Sequence, residues 1–343
     1  MRLLVTGHHG YIGSVVAPML QQAGHDVVGM DTFFYEGCDF GAAEPTFEER
    51  RRDIRDVTAD ELAGFEAVVH LAALSNDPLG DLDKELTYDI NLRGTLHLAT
   101  EAKAAGVERF VFASSCSMYG ASAGDQLVDE TAPLRPLTAY AESKVKAEMG
   151  LSRLADDSFS PVSLRNATAY GASPRLRVDI VLNNLSGWAF TTGRIKLLSD
   201  GSAWRPIVHI ADIGRAILGS LESPREAVHD VAFNVGADRE NYRVRELAEL
   251  VHEQLPEAEL DIAAKSYADP RSYRVSFSRF AALLPAHQPQ WTAGLGAAEL
   301  VDSYRTNHLT PELFEGHRYT RLKQIHRLID EHLVDERLRW RVP

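Results

Sequence analysis

The sequence predicts an α/β fold, a doubly wound parallel sheet followed by a smaller, mixed α/β C-terminal lobe. Three observations lead there. Short β-like apolar runs alternate with amphipathic stretches through the first half of the chain. The first of those runs passes directly into closely spaced glycines and then a helical pattern. After about residue 172 the alternation breaks up and proline recurs, from Pro174 through Pro206, Pro224, Pro256, Pro270 and Pro285 to Pro289.

Taken in order, residues 2–6 (RLLVT) read as a buried strand. Behind it Ile12, Val15, Val16, Met19 and Leu20 set an apolar stripe at helical spacing. Gly24 stands where a helix C-terminal glycine belongs. The run from Val27 to Met30 ends at Asp31. Further strands are expected at 67–71, 110–113 and 162–164, and helices around 85–104 and 138–155. These units suggest a first domain at 1–172, with the chain returning to its sheet at about 205–240. A substrate-holding lobe would then comprise 173–204 and 241–343.

Composition narrows the function. The 343 residues carry 49 acidic and 36 basic side chains, a formal charge of −13, which opposes non-specific nucleic-acid binding. Apolar residues make up 45% and charged residues 25%, an ordinary globular balance. No apolar run approaches the roughly 18 residues of a membrane span, and MRLLVTGHHG does not read as a signal segment. Cys38 and Cys116 are too few for a disulfide framework, and no ligand spacing suggests a metal. A soluble cytoplasmic protein without a metal is expected. Its acidity raises one difficulty, because an acidic protein should repel acidic ligands.

The loop Thr6-Gly7-His8-His9-Gly10-Tyr11-Ile12-Gly13 answers part of it. Gly7 allows a tight turn, Gly10 lets the backbone approach a pyrophosphate, and Gly13 lets the helix pack close to the strand. The phosphates would face a helix N-terminus, whose unpaired N–H groups and dipole favour negative charge. Asp31 can accept hydrogen bonds from both adenosine ribose hydroxyls and would repel a 2′-phosphate. Thr32, Phe33 and Phe34 follow it with no arginine, so NAD is favoured over NADP. His8 and His9 read as loop residues that serve backbone shape.

Tyr140 and Lys144 stand at i, i+4 in a helical stretch, so the ammonium can lie near the phenol and favour phenolate. Moving a tyrosine from about 10 to near 7 takes roughly 4 kcal/mol, within reach of a lysine helped by a cationic nicotinamide. Ser115 follows the strand ending at Ala113, at the carboxyl end of a parallel strand, where ligands gather. Its hydroxyl could bind the oxygen on which the tyrosine acts.

Together these pieces resemble the extended branch of the short-chain dehydrogenase/reductase superfamily, the NAD-dependent nucleotide-sugar epimerases and dehydratases, with a Rossmann-type sheet. The resemblance rests on the TGxxGYIG loop, Asp53-Ile54, His70-Leu71-Ala72-Ala73, Asn91 in NLRGT and the Tyr140/Lys144 pair. It continues through Asn183-Asn184-Leu185, Arg205 with Asp212 in RPIVHIAD, and Phe233-Asn234-Val235-Gly236. It implies that Ser115, Tyr140 and Lys144 are catalytic. It also implies that Gly7, Gly10, Tyr11, Ile12, Gly13, Asp31, Leu71, Ala72 and Ala73 hold NAD together with Tyr140 and Lys144. Asp53 and Ile54 would contact adenine, and Asn91 would belong to the cofactor-binding set while supporting the helix geometry of the site. A nucleotide-sugar substrate follows, with Ser75, Ser117, Thr168, Asn183, Asn184 and Arg205 as its contacts. Thr168 stands where better-known members carry an asparagine. The late arginine that clamps a diphosphate aligns near Ser266, so Arg271 or Arg274 would substitute, with Arg175 and Arg177 as further candidates. Residues 74–88 would form a loop near the sugar, and the helices around 85–104 and 138–155 would pack a homodimer.

In relatives that eliminate water, an Asp-Glu pair or at least the glutamate follows the catalytic Ser/Thr, and sugar-acid decarboxylases share the glutamate. Here the positions hold Cys116 and Ser117. Elimination needs an acid for the leaving hydroxyl, so dehydration and decarboxylation are disfavoured, and Cys116 reads as a small packing residue. Hydride transfer at a sugar carbinol remains. An epimerase working at C4 through a ketosugar leads, with an NAD(P)H-dependent nucleotide-sugar ketoreductase or dehydrogenase as the alternative. A dehydrogenase of a non-nucleotide alcohol fits Asn183, Asn184 and Arg205 poorly. A non-catalytic NAD-binding regulator has no need of an intact Ser115, Tyr140 and Lys144.

Overall fold

In the computed structural model, which describes residues 1–41, 45–75, 83–120, 127–264 and 272–341, the expected alternation becomes strands and covering helices. The strands are β1 (Arg2–Thr6), β2 (Asp26–Asp31), β3 (Glu48–Arg51), β4 (Ala67–His70), β5 (Arg109–Ser115), β6 (Leu127–Val128) and β7 (Ser160–Asn166). They continue with β8 (Thr168–Tyr170), β9 (Arg194–Leu197), β10 (Trp204–His209), β11 (Val231–Val235), β12 (Asn241–Arg243), β13 (Glu259–Ile262) and β14 (Arg274–Val275). The longer helices are α1 (Gly13–Gln22), α2 (Thr95–Ala104), α3 (Ala139–Leu154) and α4 (Val181–Thr192). After them come α5 (Ile210–Glu222), α6 (Val244–Gln254), α7 (Ala293–Thr306) and α8 (Arg321–Asp330).

Seven strands pair in the order β11-β7-β5-β4-β1-β2-β3, parallel throughout. Apart from the largely exposed edge strand β3, their side chains alternate between two buried faces, as the pleat requires. Leu3, Val5, Val69, Val111 and Val162 meet Val16 and Leu20 of α1 and Ile213 and Ile217 of α5. Leu4, Val28, Val68, Phe110 and Phe112 meet Leu98 and Ala102 of α2 and Ala147 and Leu151 of α3. A separate core joins α4, α6 and α7 through Leu182, Leu185, Leu247, Val251 and Leu300. It lies against a three-stranded sheet, β12-β10-β8.

The chain's returns to the main sheet differ from the expected boundaries. Within 205–240, only Val231–Val235 joins it, while β10 pairs with β8 and β12. Residues beyond 241 do not all stay with the second core. On α8 the buried positions Arg321, Gln324, Ile325 and Leu328 share one helical face. Ile325 and Leu328 pack on Phe34, Leu74, Leu86 and Ile90, beside the end of β2. Trp340 then donates its indole N–H to Thr32 O at 2.6 Å.

The helix expected at 85–104 is interrupted. Lys84–Tyr88 is α-helical, Asp89–Gly94 widens into a π turn, and α2 follows. The loop expected at 74–88 therefore ends where Asp83 caps Lys84–Tyr88, and residues 76–82 lie outside the described set.

One polar pair ties α3 to β7. The Arg165 guanidinium grips Glu148 at 2.8 Å, with both side chains about nine-tenths buried, and Ser114 Oγ donates to the same carboxylate. Removing one partner leaves the other charge buried alone. Glu148→Ala should lower unfolding stability by about 3–5 kcal/mol, measured by urea titration. A loss no larger than that of an exposed pair would refute this account.

Candidate active site

β1 continues to β2 on one side of the sheet centre and β4 continues to β5 on the other, so a crevice opens beyond their carboxyl ends. The loops around it form one wall each. Gly7, Gly10, Tyr11, Ile12 and Gly13 come from the turn after β1, Asp31 from the end of β2, Asp53 and Ile54 from the turn after β3, and Leu71–Ala73 from the turn after β4. The glycines have distinct reasons. Gly7 has φ +76°, and a Cβ there would lie 2.6 Å from Ala72 N. At Gly13 a Cβ would lie 2.1 Å from Gly7 O. At Gly10 it would meet only Gly7 O, at 3.1 Å, so that glycine leaves room in the groove itself.

The Asp31 carboxylate is aimed by backbone donors, among them Phe33 N–H at 2.8 Å and His9 N–H at 3.1 Å. Sequence order hid a neighbour of Asp31. Parallel pairing sets Arg51 opposite it, and Arg52 lines the groove, although Glu61 holds the Arg52 guanidinium at 2.8 Å. Burial, reinforced by Arg175, pushes His9 down to about 3, so its ring is neutral. The Asp53 carboxylate is engaged by Arg55 at 2.6 Å and Arg339 at 3.0 Å.

Ser115, Tyr140 and Lys144 line an adjoining cavity with Ser117, Thr168, Asn184 and Arg205. Tyr11, Ile12, Leu71, Ala73, Ser75 and Arg177 line both spaces, which makes them one continuous site. Ser115 Oγ accepts the Ser117 N–H at 3.1 Å, so its own proton remains to be donated into the cavity. Lys144 is buried, its Nζ donating to Ala113 O at 2.7 Å and lying 5.9 Å from the Tyr140 ring centroid. Burial, opposed by the Glu148 carboxylate, pushes the Lys144 ammonium down to about 7. Ser117 Oγ and Asn166 Oδ1 are buried on the cavity wall without hydrogen-bond partners among the described residues, as a ligand rich in hydroxyls would require. The Cys116 Sγ–H donates to Arg165 O, and burial pushes this thiol well up, as befits a packing residue.

Three expected site residues lie outside the groove and cavity lining. Asn183 is fully buried, bonded to Tyr11 Oη, Gly171 and Arg177 O. One residue along a helix turns the side chain by about 100°, so Asn184 faces the cavity and Asn183 faces the core. Asn91 does not line the groove; it grips Leu74 N–H at 2.8 Å and Leu74 O at 3.0 Å, holding the loop after β4. Arg274 stacks on Trp204, 4.6 Å from its ring centroid, outside the cavity lining. Arg271 lies outside the described residues. Of the further arginines, Arg175 pairs with Asp39, whereas Arg177 faces the site and holds Asp179 at 2.9 Å. Arg321, more than three hundred positions from the glycine loop, also lines the groove, and no local pattern announces it.

The profile of the NAD dependent epimerase/dehydratase family matches residues 3–236. The chain belongs to that family. The UDP-glucose 4-epimerase of Corynebacterium glutamicum is 33% identical over 270 residues, covering 74% of this chain and 80% of that protein. Among solved structures, a Thermus thermophilus UDP-glucose 4-epimerase complexed with NAD superposes with TM-score 0.73 at 26% identity, covering 89% of this chain and 99% of that one. DesIV of Streptomyces venezuelae, a dTDP-glucose 4,6-dehydratase with NAD bound, gives 0.77 at 25% identity, covering 91% and 100%. As a member of this family the protein uses NAD, and the groove fits it. Gly10 leaves space for a pyrophosphate, and Arg321 Nη1 is a buried donor with no partner among the described residues.

Two measurements check this geometry. Gly13→Ala should destabilise the apoprotein by about 1–3 kcal/mol because backbone atoms are in the way. Gly10→Ala should leave folding close to normal yet weaken NAD binding at least about tenfold; equal effects of both changes on folding would contradict the assignment.

The second concerns Lys144, whose pKa is near 7 when folded against an ordinary 10.5. Between those values the unfolded chain holds a proton that the folded chain does not, so stability rises with pH, by at most about 1.4 kcal/mol per unit. Below pH 7 the lysine is charged in both states, and the folded state bears the full cost of burying it. Lys144→Met should remove this rise, seen as a narrowing gap between the two proteins' urea stabilities from pH 7 upward; parallel curves would contradict it.

Proposed function

We propose that this protein is a nucleotide-sugar 4-epimerase, inverting a carbinol by removing and returning hydride. The observation that carries the reading is the acid inventory of the cavity. Among the described residues lining it, Asp179 is the one carboxylic acid. Burial pushes its carboxyl up, but the bidentate Arg177 outweighs that and holds it below the usual range. An ionised, clamped carboxylate cannot protonate a leaving hydroxyl. The positions after Ser115 add only a buried thiol and a hydroxyl. The similarity to UDP-glucose 4-epimerases supports the same choice over elimination.

In this reading bound NAD supplies the hydride acceptor and, for the return step, the donor. Tyr140, as phenolate, accepts the sugar hydroxyl proton. Ser115 donates a hydrogen bond to the same oxygen and holds it as it becomes a carbonyl. Lys144, anchored on Ala113 O, keeps positive charge near the phenol when protonated. Tyr140 would then give the proton back to the same oxygen once the ketosugar has turned in the cavity to present its opposite face. Ser117, Asn166, Thr168 and Asn184 offer hydroxyl and amide groups to the sugar, and Arg205 its guanidinium to the diphosphate.

The test is incubation with a panel of UDP- and dTDP-hexoses, reading product stereochemistry by NMR and NADH by absorbance. Inversion at C4 without net cofactor change is expected. Tyr140→Phe should lower kcat by roughly 10²–10⁴-fold with folding intact. Stoichiometric consumption of NADH with a ketosugar would establish a one-way ketoreductase instead.

A further inference from the structure

Arg321 is 2% exposed and its Nη1 has no hydrogen-bond partner among the described residues. Its remaining contacts fix the guanidinium without neutralising it. Nη2 donates to Arg175 O at 2.9 Å, and Cζ lies 3.9 Å from the centroid of the Tyr35 ring. No ion pair involves Arg321 among the described residues. The other two guanidinium groups lining the groove already have counter-ions, Arg52 in Glu61 at 2.8 Å and Arg177 in Asp179 at 2.9 Å, and Arg177 also donates to Ser75 Oγ at 3.3 Å. A buried, unpaired guanidinium costs several kcal/mol.

The helix gives no reason for an arginine here. Arg321 is the first residue of α8, where the dipole disfavours a cation, and the first turn carries no acidic side chain. The apolar face of α8 is already supplied by Ile325 and Leu328. What Arg321 faces is the groove lined by Gly7, Gly10 and Asp31. It does not line the cavity of Ser115, Tyr140 and Lys144, whereas Arg177 lines both. The anion that completes it therefore belongs to the cofactor, not to the sugar nucleotide.

We propose that Arg321 is a cofactor-binding residue whose free Nη1 donates to the NAD pyrophosphate, so that the C-terminal helix supplies a wall of the cofactor site. The glycine loop offers backbone N–H groups, and Arg321 adds a charge-assisted hydrogen bond from a distant part of the chain. This rests on NAD occupying the groove and not on the 4-epimerase reading, since it concerns binding without turnover.

The test titrates the full-length apoprotein with NAD, ADP-ribose and adenosine by calorimetry or ligand-observed NMR. ADP-ribose carries the pyrophosphate and adenosine does not. Arg321→Gln should weaken NAD and ADP-ribose alike by about 10- to 100-fold, the range for a hydrogen bond to a charged group, while adenosine affinity stays within about twofold. An equal loss for adenosine would show that the side chain only shapes the protein, and unchanged ADP-ribose affinity would remove the contact; either overturns the proposal. Should Arg321→Gln fail to fold, Arg321→Lys decides. It keeps the charge but loses the forked geometry, so ADP-ribose should weaken several-fold with adenosine unchanged. Parallel loss of both ligands would again overturn it.

Discussion

The site depends on a topological constraint. Because the connections from β1 and β4 leave toward opposite edges of the sheet, no connection covers the carboxyl ends of these two central strands. The turns after them must therefore sit side by side, and they do so in direct contact: a side chain at Gly7 would strike the Ala72 backbone. Both requirements of the cofactor groove, closeness of backbone and absence of side chains, follow from that juxtaposition. The neighbouring strand β5 then brings Ser115 to the same edge, and α3 brings Tyr140 and Lys144 beside it.

A negatively charged protein that binds two anionic ligands is no contradiction once the charges are located. Acidic side chains are numerous on the exterior, where water and salt screen them. The groove and cavity instead present Arg52, Arg177, Arg205 and Arg321, while Asp179 is committed to Arg177, Asp53 to Arg55 and Arg339, and Asp31 accepts backbone N–H groups. In a partly desolvated site those few charges act at short range and in low dielectric, and outweigh a diffuse negative surface.

Local patterns made the nucleotide-binding half legible. The stripe Ile12–Leu20 becomes α1, Asp31 ends β2, and Tyr140 with Lys144 stand on one helix whose first residue is Ala139. What escaped depends on rotation or distance. Asn183 and Asn184 are equal in sequence, yet the phase of α4 sends one to the core and the other to the cavity. Arg52 reaches the groove only because β3 pairs with β2, and Arg321 only because an amphipathic helix folds back on the first domain's surface. Neither relation leaves a short-range trace. The π turn at Asp89–Gly94 was equally invisible, although it sets Asn91 where it can hold the Leu74 backbone from both sides.

The return of α8 also orders events during synthesis. All seven strands can pair once Val235 has left the ribosome, but the groove still lacks Arg321, and Trp340 has yet to reach Thr32. At roughly 5–20 residues per second the intervening stretch, about a hundred residues, takes several seconds or more. During that interval the nascent sheet exposes Phe34, Leu74 and Ile90, which α8 later covers. The cofactor site is thus finished after the sheet that bears it, and the apolar patch beneath α8 stays open in the meantime.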